Sequence, residues 1–134
     1  MVHEQSRELR DNAPPGTIPS RPGPLMETAM AIYELRTYTA AVGKMADIIE
    51  LYNSAGWPAL SKHPKKLLGY FTGDIGALNQ LIHLWKFDDD ADRRAFWAGI
   101  YADPDFMNFA RQMRPMLIAQ ENKLMLASPW GPHP

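Results

Sequence analysis

Imidazole, indole, guanidinium and carboxylate side chains fall on alternate positions of two strand-like runs in this chain. In residues 69–87, GYFTGDIGALNQLIHLWKF, every second position from 79 onward carries Asn79, Leu81, His83, Trp85 and Phe87. In residues 31–39, AIYELRTYT, alternate positions carry Glu34, Arg36 and Tyr38. A strand sends successive side chains to opposite faces, so each set shares one face of a sheet. A face that is half polar and half aromatic either lines a pocket or meets an interface.

His83 has three readings. An imidazole with an unperturbed pKa of about 6.5 serves as a general base near neutral pH. It also serves as an axial haem ligand, or as an interior group bonded across strands or subunits. Arg36 would hold an anionic or carbonyl-bearing ligand through its planar fork. The competing reading pairs it with Glu34, because buried charge needs a partner. Tyr38 and Trp85 would wall a site, although Trp85 serves equally as core or interface packing. Asn79, Gln120 and Asn122 would add amide contacts, the last two from a strand whose register the pattern leaves open. His3, His63 and His133 stand at no metal-ligand spacing to His83, so neither a closed metal site nor another cofactor is expected. No GxGxxG, P-loop, nucleophile elbow or paired-carboxylate pattern is present.

Residues 31–39 alternate and are rich in β-formers, which predicts the first strand. Across 42–60, Met45, Ile48, Ile49, Tyr52 and Ala55 follow a helical stripe, and Trp57-Pro58 is expected to kink or end that helix. Residues 67–72 predict the second strand, 73–78 a turn and 79–87 the third strand. Asp88, Asp89, Asp90 and Asp92 place carboxylates at the start of a helix reaching about Tyr101. Asp103-Pro104 reads as an N-cap and first-turn proline of a helix to about Gln112. The last strand lies within 113–126.

The order β-α-β-β-α-β predicts an α+β, ferredoxin-like fold: a four-stranded antiparallel sheet with its helices on one face. With Tyr33 and Leu35 turned to the helices, Glu34, Arg36 and Tyr38 fall on the uncovered face. Tyr38, Trp85, Phe87 and Tyr70 or Phe71 would there expose too much aromatic surface for a monomer. A homodimer through the open sheet face is therefore expected.

Composition bounds the rest. The 134 residues suffice for one domain, and 46% hydrophobic with 22% charged residues is ordinary for a globular chain. A net charge of −1 gives no footprint for nucleic acid or an anionic membrane, and no apolar run is long enough to span a bilayer. The absence of cysteine fits a reducing compartment, with cytoplasm the simplest expectation. Residues 1–29 hold five of the twelve prolines and no aromatic residue, and read as a disordered or non-native tail, with Met26 or Met30 as alternative starts. The folded domain is expected over 30–127, with a second short tail over 128–134.

Taken in order, YELRTY (33–38), GYF (69–71), GALNQLIHLW (76–85), Asp92-Arg93, Asp103-Pro104 and Gln120-Glu121 resemble the NIPSNAP family across residues 30–130. The strongest single element is LNxxxHLW. The resemblance implies a dimeric α+β barrel, in which two ferredoxin-like units pack sheet to sheet around a shared interior. It carries no assigned reaction. Some cofactor-free oxygenases of the same superfamily use an Asn/Trp/His set in the barrel, a likeness of composition to Asn79, Trp85 and His83. The expectation is a protein that binds a small apolar or carbonyl-containing molecule, as a cofactor-independent oxygenase or isomerase. Arg36 would orient the ligand and His83 would move protons. The alternative is a non-catalytic homodimeric binding or interaction protein, with haem binding a third reading.

Overall fold

A computed structural model of the chain describes residues 31–134. The expected tail over residues 1–29 lies outside them. Strand β1 (Ile32–Ala40) leads into one helical rod made of α1 (Met45–Leu51), a π turn (Tyr52–Gly56) and α2 (Trp57–Leu60). Strands β2 (Leu67–Thr72) and β3 (Gln80–Phe87) form a hairpin. Helices α3 (Asp90–Tyr101) and α4 (Pro104–Met113) follow, then a 3-10 turn (Arg114–Met116) and β4 (Leu117–Leu126). All pairings are antiparallel and the sheet order is β2-β3-β1-β4. The predicted ferredoxin-like α+β arrangement is the one observed.

Local signals account for the helix ends. Asp89 is extended and accepts from the Asp92 backbone N–H, and Asp103 accepts from the Asp105 backbone N–H with Pro104 opening α4. Pro58 causes no break. It stands at the start of α2, directly after the π turn, and the rod runs on through it. The irregularity falls one turn earlier, at the π turn, where the backbone rejects a side chain at Gly56. A Cβ there would lie 2.6 Å from the Phe109 ring and 2.9 Å from Tyr52. Gly56 thus lets the rod close on α4.

The register decides which face is covered. Glu34 pairs with Trp85, Arg36 with His83 and Tyr38 with Leu81. These side chains, with Ala40 and Phe87, are buried against Ile48, Phe96, Trp97, Ile100 and Phe109 of the helices. Glu34, Arg36 and Tyr38 therefore face the helices, opposite to expectation. Tyr33, Leu35, Thr37 and Thr39 face away with Ile82 and Leu84. Of the aromatic residues assigned to the open face, Tyr38, Tyr70, Trp85 and Phe87 pack on the helical side. Phe71, paired with Ile82, has the register of the open face, and from the edge strand it also borders the gap to the helical rod. Residues 127–134 form no helix or strand, and the Pro134 carbonyl accepts from the Tyr33 hydroxyl at 2.9 Å.

Two helical glycines separate packing from propensity. Gly56→Ala gains helix propensity but forces a methyl into Phe109, so we expect a net loss of about 1–3 kcal/mol in urea unfolding. Gly99→Ala has nothing within 4 Å of the new Cβ, and a gain of up to about 1 kcal/mol is expected. Equal effects at the two positions would contradict this packing.

Candidate functional site

The helix-facing side of β1 and β3 carries a connected polar group inside an aromatic core. Glu34 is fully buried, and its carboxylate accepts from Arg36 Nε at 2.6 Å and from Trp97 Nε1 at 2.9 Å. Arg93 Nη1 adds a 3.5 Å ion pair from α3. The Arg36 guanidinium stacks 3.7 Å from the centre of the Trp97 ring and donates from Nη1 to the Tyr38 hydroxyl at 3.2 Å. Arg36 is thus committed to Glu34, Trp97 and Tyr38. The ion-pair reading of Glu34 and Arg36 describes this arrangement, within one chain.

His83 is 1% exposed. Its ring stacks on Tyr70, with centres 4.3 Å apart and planes 4° from parallel, and meets the edge of Tyr38 at 4.8 Å. Trp85 Nε1 donates to His83 Nδ1 at 2.6 Å. Burial, and then the positive charge of Arg36, lower the imidazole pKa from 6.5 to about 3. At neutral pH the ring is uncharged. Since Nδ1 accepts from the indole, the proton sits on Nε2, and Nε2 is buried with no partner. His83 is therefore a weak base presenting an unused N–H donor, not the near-neutral base its residue type suggested. Axial haem ligation would require the Nε2 lone pair, which this tautomer does not offer.

Tyr70 carries the connection outward. Its hydroxyl donates to the Tyr52 hydroxyl at 3.0 Å, and the Tyr52 ring in turn packs edge-on against Phe109. Both tyrosines border a cleft of about 200 Å³ between the helical rod and the outer strand, lined also by Ile49, Asn53, Trp57, Phe71, Thr72 and Leu81. Burial is the main cause raising the pKa of Tyr52 and of Tyr70, so both stay protonated donors at physiological pH.

The other expected residues are placed differently. Asn79 is not on β3; it ends the hairpin loop in a left-handed conformation, φ 59°, and its carbonyl accepts from the Ala40 N–H at 2.8 Å. Gln120 and Asn122 share the helix-side face of β4, opposite Tyr38 and Arg36, but no helix covers that edge and both are exposed. Gln120 Nε2 donates to Asn122 Oδ1 at 3.2 Å. Trp85 packs 5.0 Å from Trp97 and 5.3 Å from Phe96, and acts on His83 through its N–H. Sequence reasoning missed Tyr52, Tyr70, Arg93 and Trp97. In sequence Tyr52 is one member of an apolar helical stripe, and Arg93 stands out only in the Asp92-Arg93 pair that helps to carry the resemblance. Only the strand register puts Tyr70 opposite His83. Among the described residues no group of three or more His, Cys, Asp or Glu side chains is arranged to hold a metal, and no helix is long and apolar enough to cross a membrane.

Comparison with known proteins places this geometry. The family model described as NIPSNAP matches residues 33–132. A NIPSNAP family protein of unknown function from Agrobacterium tumefaciens is 30% identical, with a TM-score of 0.72 over 78% of this chain and 94% of its own. An uncharacterized NIPSNAP-like domain protein from Burkholderia xenovorans is 29% identical, with a TM-score of 0.72 over 78% of this chain and 91% of its own. SnoaB, a cofactor-independent oxygenase from Streptomyces nogalater, is 20% identical with a TM-score of 0.53 over 78% of this chain and all of its own, a likeness of fold alone. None of the curated proteins matches.

Two measurements test the polar group. The unfolded imidazole binds its proton near pH 6.5 and the folded one only near 3, so folding expels a proton in that window. Stability contributed at His83 is complete above pH 6.5 and falls as pH is lowered, by about 1.4 kcal/mol per unit. Urea unfolding from pH 7.5 to 4.5 should show this slope in the wild type and lose it in His83→Gln; an unchanged slope would refute the assignment. Glu34→Gln removes the counter-charge of a buried guanidinium. Its expected cost is about 3–5 kcal/mol in the same measurement at pH 7.5.

Proposed function

This chain belongs to the NIPSNAP family, and from that premise we propose that it binds a small, largely apolar molecule in the cleft between the helical rod and β2. The observation that carries the reading is the pairing of the Tyr52 and Tyr70 hydroxyls, one from the rod and one from β2, in a cleft whose lining is uncharged and mainly apolar and aromatic. A concave apolar surface with few convergent polar groups is the usual form of a small-molecule site. The cleft lies inside a single subunit, on the helical side of the sheet, rather than between two sheets. Its volume, about 200 Å³, is below the roughly 300–1,000 Å³ of sites for drug-sized compounds and suits a single ring.

Binding is better supported than proton transfer. A general base near neutral pH needs a pKa close to that pH. His83 is far below it, and the tyrosines are held above their ordinary value. Cofactor-independent oxygenase or isomerase chemistry would then rest on hydrogen-bond donation to a substrate carbonyl.

A second copy of the chain is the proposed cover of the open face. Leu35 pairs directly with Leu84, Ile82 lies beside Thr37, and these residues are only half-buried, while Phe71 on the same face is 60% exposed. This support differs from the aromatic argument, since the large aromatic residues are already covered by helices. The non-catalytic homodimer remains the second reading, favoured by the structural use of Glu34 and Arg36.

A thermal-shift screen of single-ring carbonyl compounds tests the site. Ile49→Trp fills the cleft from its rim without entering the core. Compounds should raise the melting temperature of the wild type and not of Ile49→Trp. Shifts that persist in Ile49→Trp, or none in either protein, would reject the cleft. Sedimentation velocity should find a dimer that Leu84→Asp dissociates.

A further inference from the structure

We infer that the compound taken by this cleft is uncharged, bears a hydrogen-bond acceptor such as a ketone or ester carbonyl on an apolar ring, and receives its hydrogen bond from the Tyr52 hydroxyl. The inference rests on the reading of the cleft as a small-molecule site and names the chemistry of that site.

Counting protons identifies the donor. Two hydroxyls share one hydrogen bond, so one of their two protons is left over. Tyr70 is the inner partner: its ring lies flat on His83, and its hydroxyl donates to Tyr52. The remaining proton is Tyr52's, and among the described residues it has no acceptor. A half-buried hydroxyl in an apolar cleft leaves its proton unused at a cost, and a ligand acceptor recovers that cost. Tyr52 is also the residue the backbone places deliberately. It opens the π turn, and Gly56, one turn on, is the residue whose missing side chain keeps Tyr52 and Phe109 in contact. Single π turns of this kind occur often at functional sites.

Charge sets the class. None of the eight lining residues is Asp, Glu, Lys, Arg or His. The nearest guanidinium, Arg36, is neutralised by Glu34 at 2.6 Å. A carboxylate or an ammonium entering the cleft would lose hydration with no counter-charge to meet it. A neutral acceptor loses far less and gains the Tyr52 bond. Asn53 and Thr72 supply further neutral polar contacts at the rim, and the aromatic rings of Trp57 and Tyr70 suit a flat partner.

Three probes of matched size separate the possibilities: acetophenone, benzoate and ethylbenzene. Each is titrated into uniformly 15N-labelled full chain, and amide shifts of residues 49–57 and 70–72 locate binding. Acetophenone should bind about threefold to tenfold more tightly than ethylbenzene, the worth of one net hydrogen bond, and benzoate should bind most weakly. Tyr52→Phe should bring acetophenone down to ethylbenzene and leave ethylbenzene unchanged, which also reports an intact cleft. Tyr70→Phe should retain a preference for acetophenone. Benzoate binding at least as well as acetophenone would overturn the neutral class while leaving the cleft a binding site. Equal binding of acetophenone and ethylbenzene to the wild type would overturn the hydrogen bond. A preference lost in Tyr70→Phe but kept in Tyr52→Phe would overturn the choice of donor. No shift with any probe would remove the proposed function together with this inference.

Discussion

A carboxylate with no access to water stands between β1 and α3, and the positions of its neighbours follow from the need to satisfy it. Leaving Glu34 charged and unpaired in the interior would cost several kcal/mol, a large share of the net stability of a domain of this size. Three donors meet it, from Arg36 on its own strand and from Trp97 and Arg93 on α3. Sliding α3 by one turn along the sheet would strip away two of the three. The requirement therefore sets the axial position of the helix more sharply than apolar contact does, because apolar contact is not directional.

The same requirement propagates across the sheet. Arg36, held by Glu34 and flat on Trp97, has one remaining direction in which to donate, and Tyr38 accepts there. Tyr38 presents its ring edge to His83, and the charge beside His83 disfavours a second positive charge. The imidazole is kept neutral by burial and by Arg36, and its tautomer by Trp85. With Nδ1 occupied and Nε2 protonated, the interior supplies donors and no base of useful strength. The electrostatic logic of the core thus favours holding an acceptor over moving a proton.

The element order was legible because each transition carries a local mark: Asp89 and Asp103 as N-caps, Pro104 in the first turn, and a change of period between β1 and the rod. The half-polar face of His83 was legible as well. Its direction was not. Alternation separates residues into two faces but does not say which one is buried, and the ordinary rule sends Glu and Arg outward. The rule fails here because Trp97 and Arg93 on α3 supply partners that no inspection of β1 can reveal. Asn79 failed for a different reason. An asparagine tolerates the left-handed backbone that closes the hairpin loop, so it left the strand that the period had assigned to it. Gln120 shares the face of His83 but lies exposed, since the rod, α3 and α4 leave the fourth strand uncovered.

The two ends of the helix-facing surface do different work. Toward α3, charged groups cancel one another and leave nothing for a ligand. Toward the rod, β2 is an edge strand and the π turn brings Tyr52 over it, so the surface is apolar, concave and uncharged. Tyr70 joins the two ends, stacked on His83 on one side and bonded to Tyr52 on the other. A ligand accepting from Tyr52 would draw on its hydroxyl and strengthen the Tyr70 bond by polarisation, since bonds in a chain reinforce one another. The Tyr70 ring, set against an imidazole with an unused N–H, is then the one element through which occupancy of the cleft can be felt at His83.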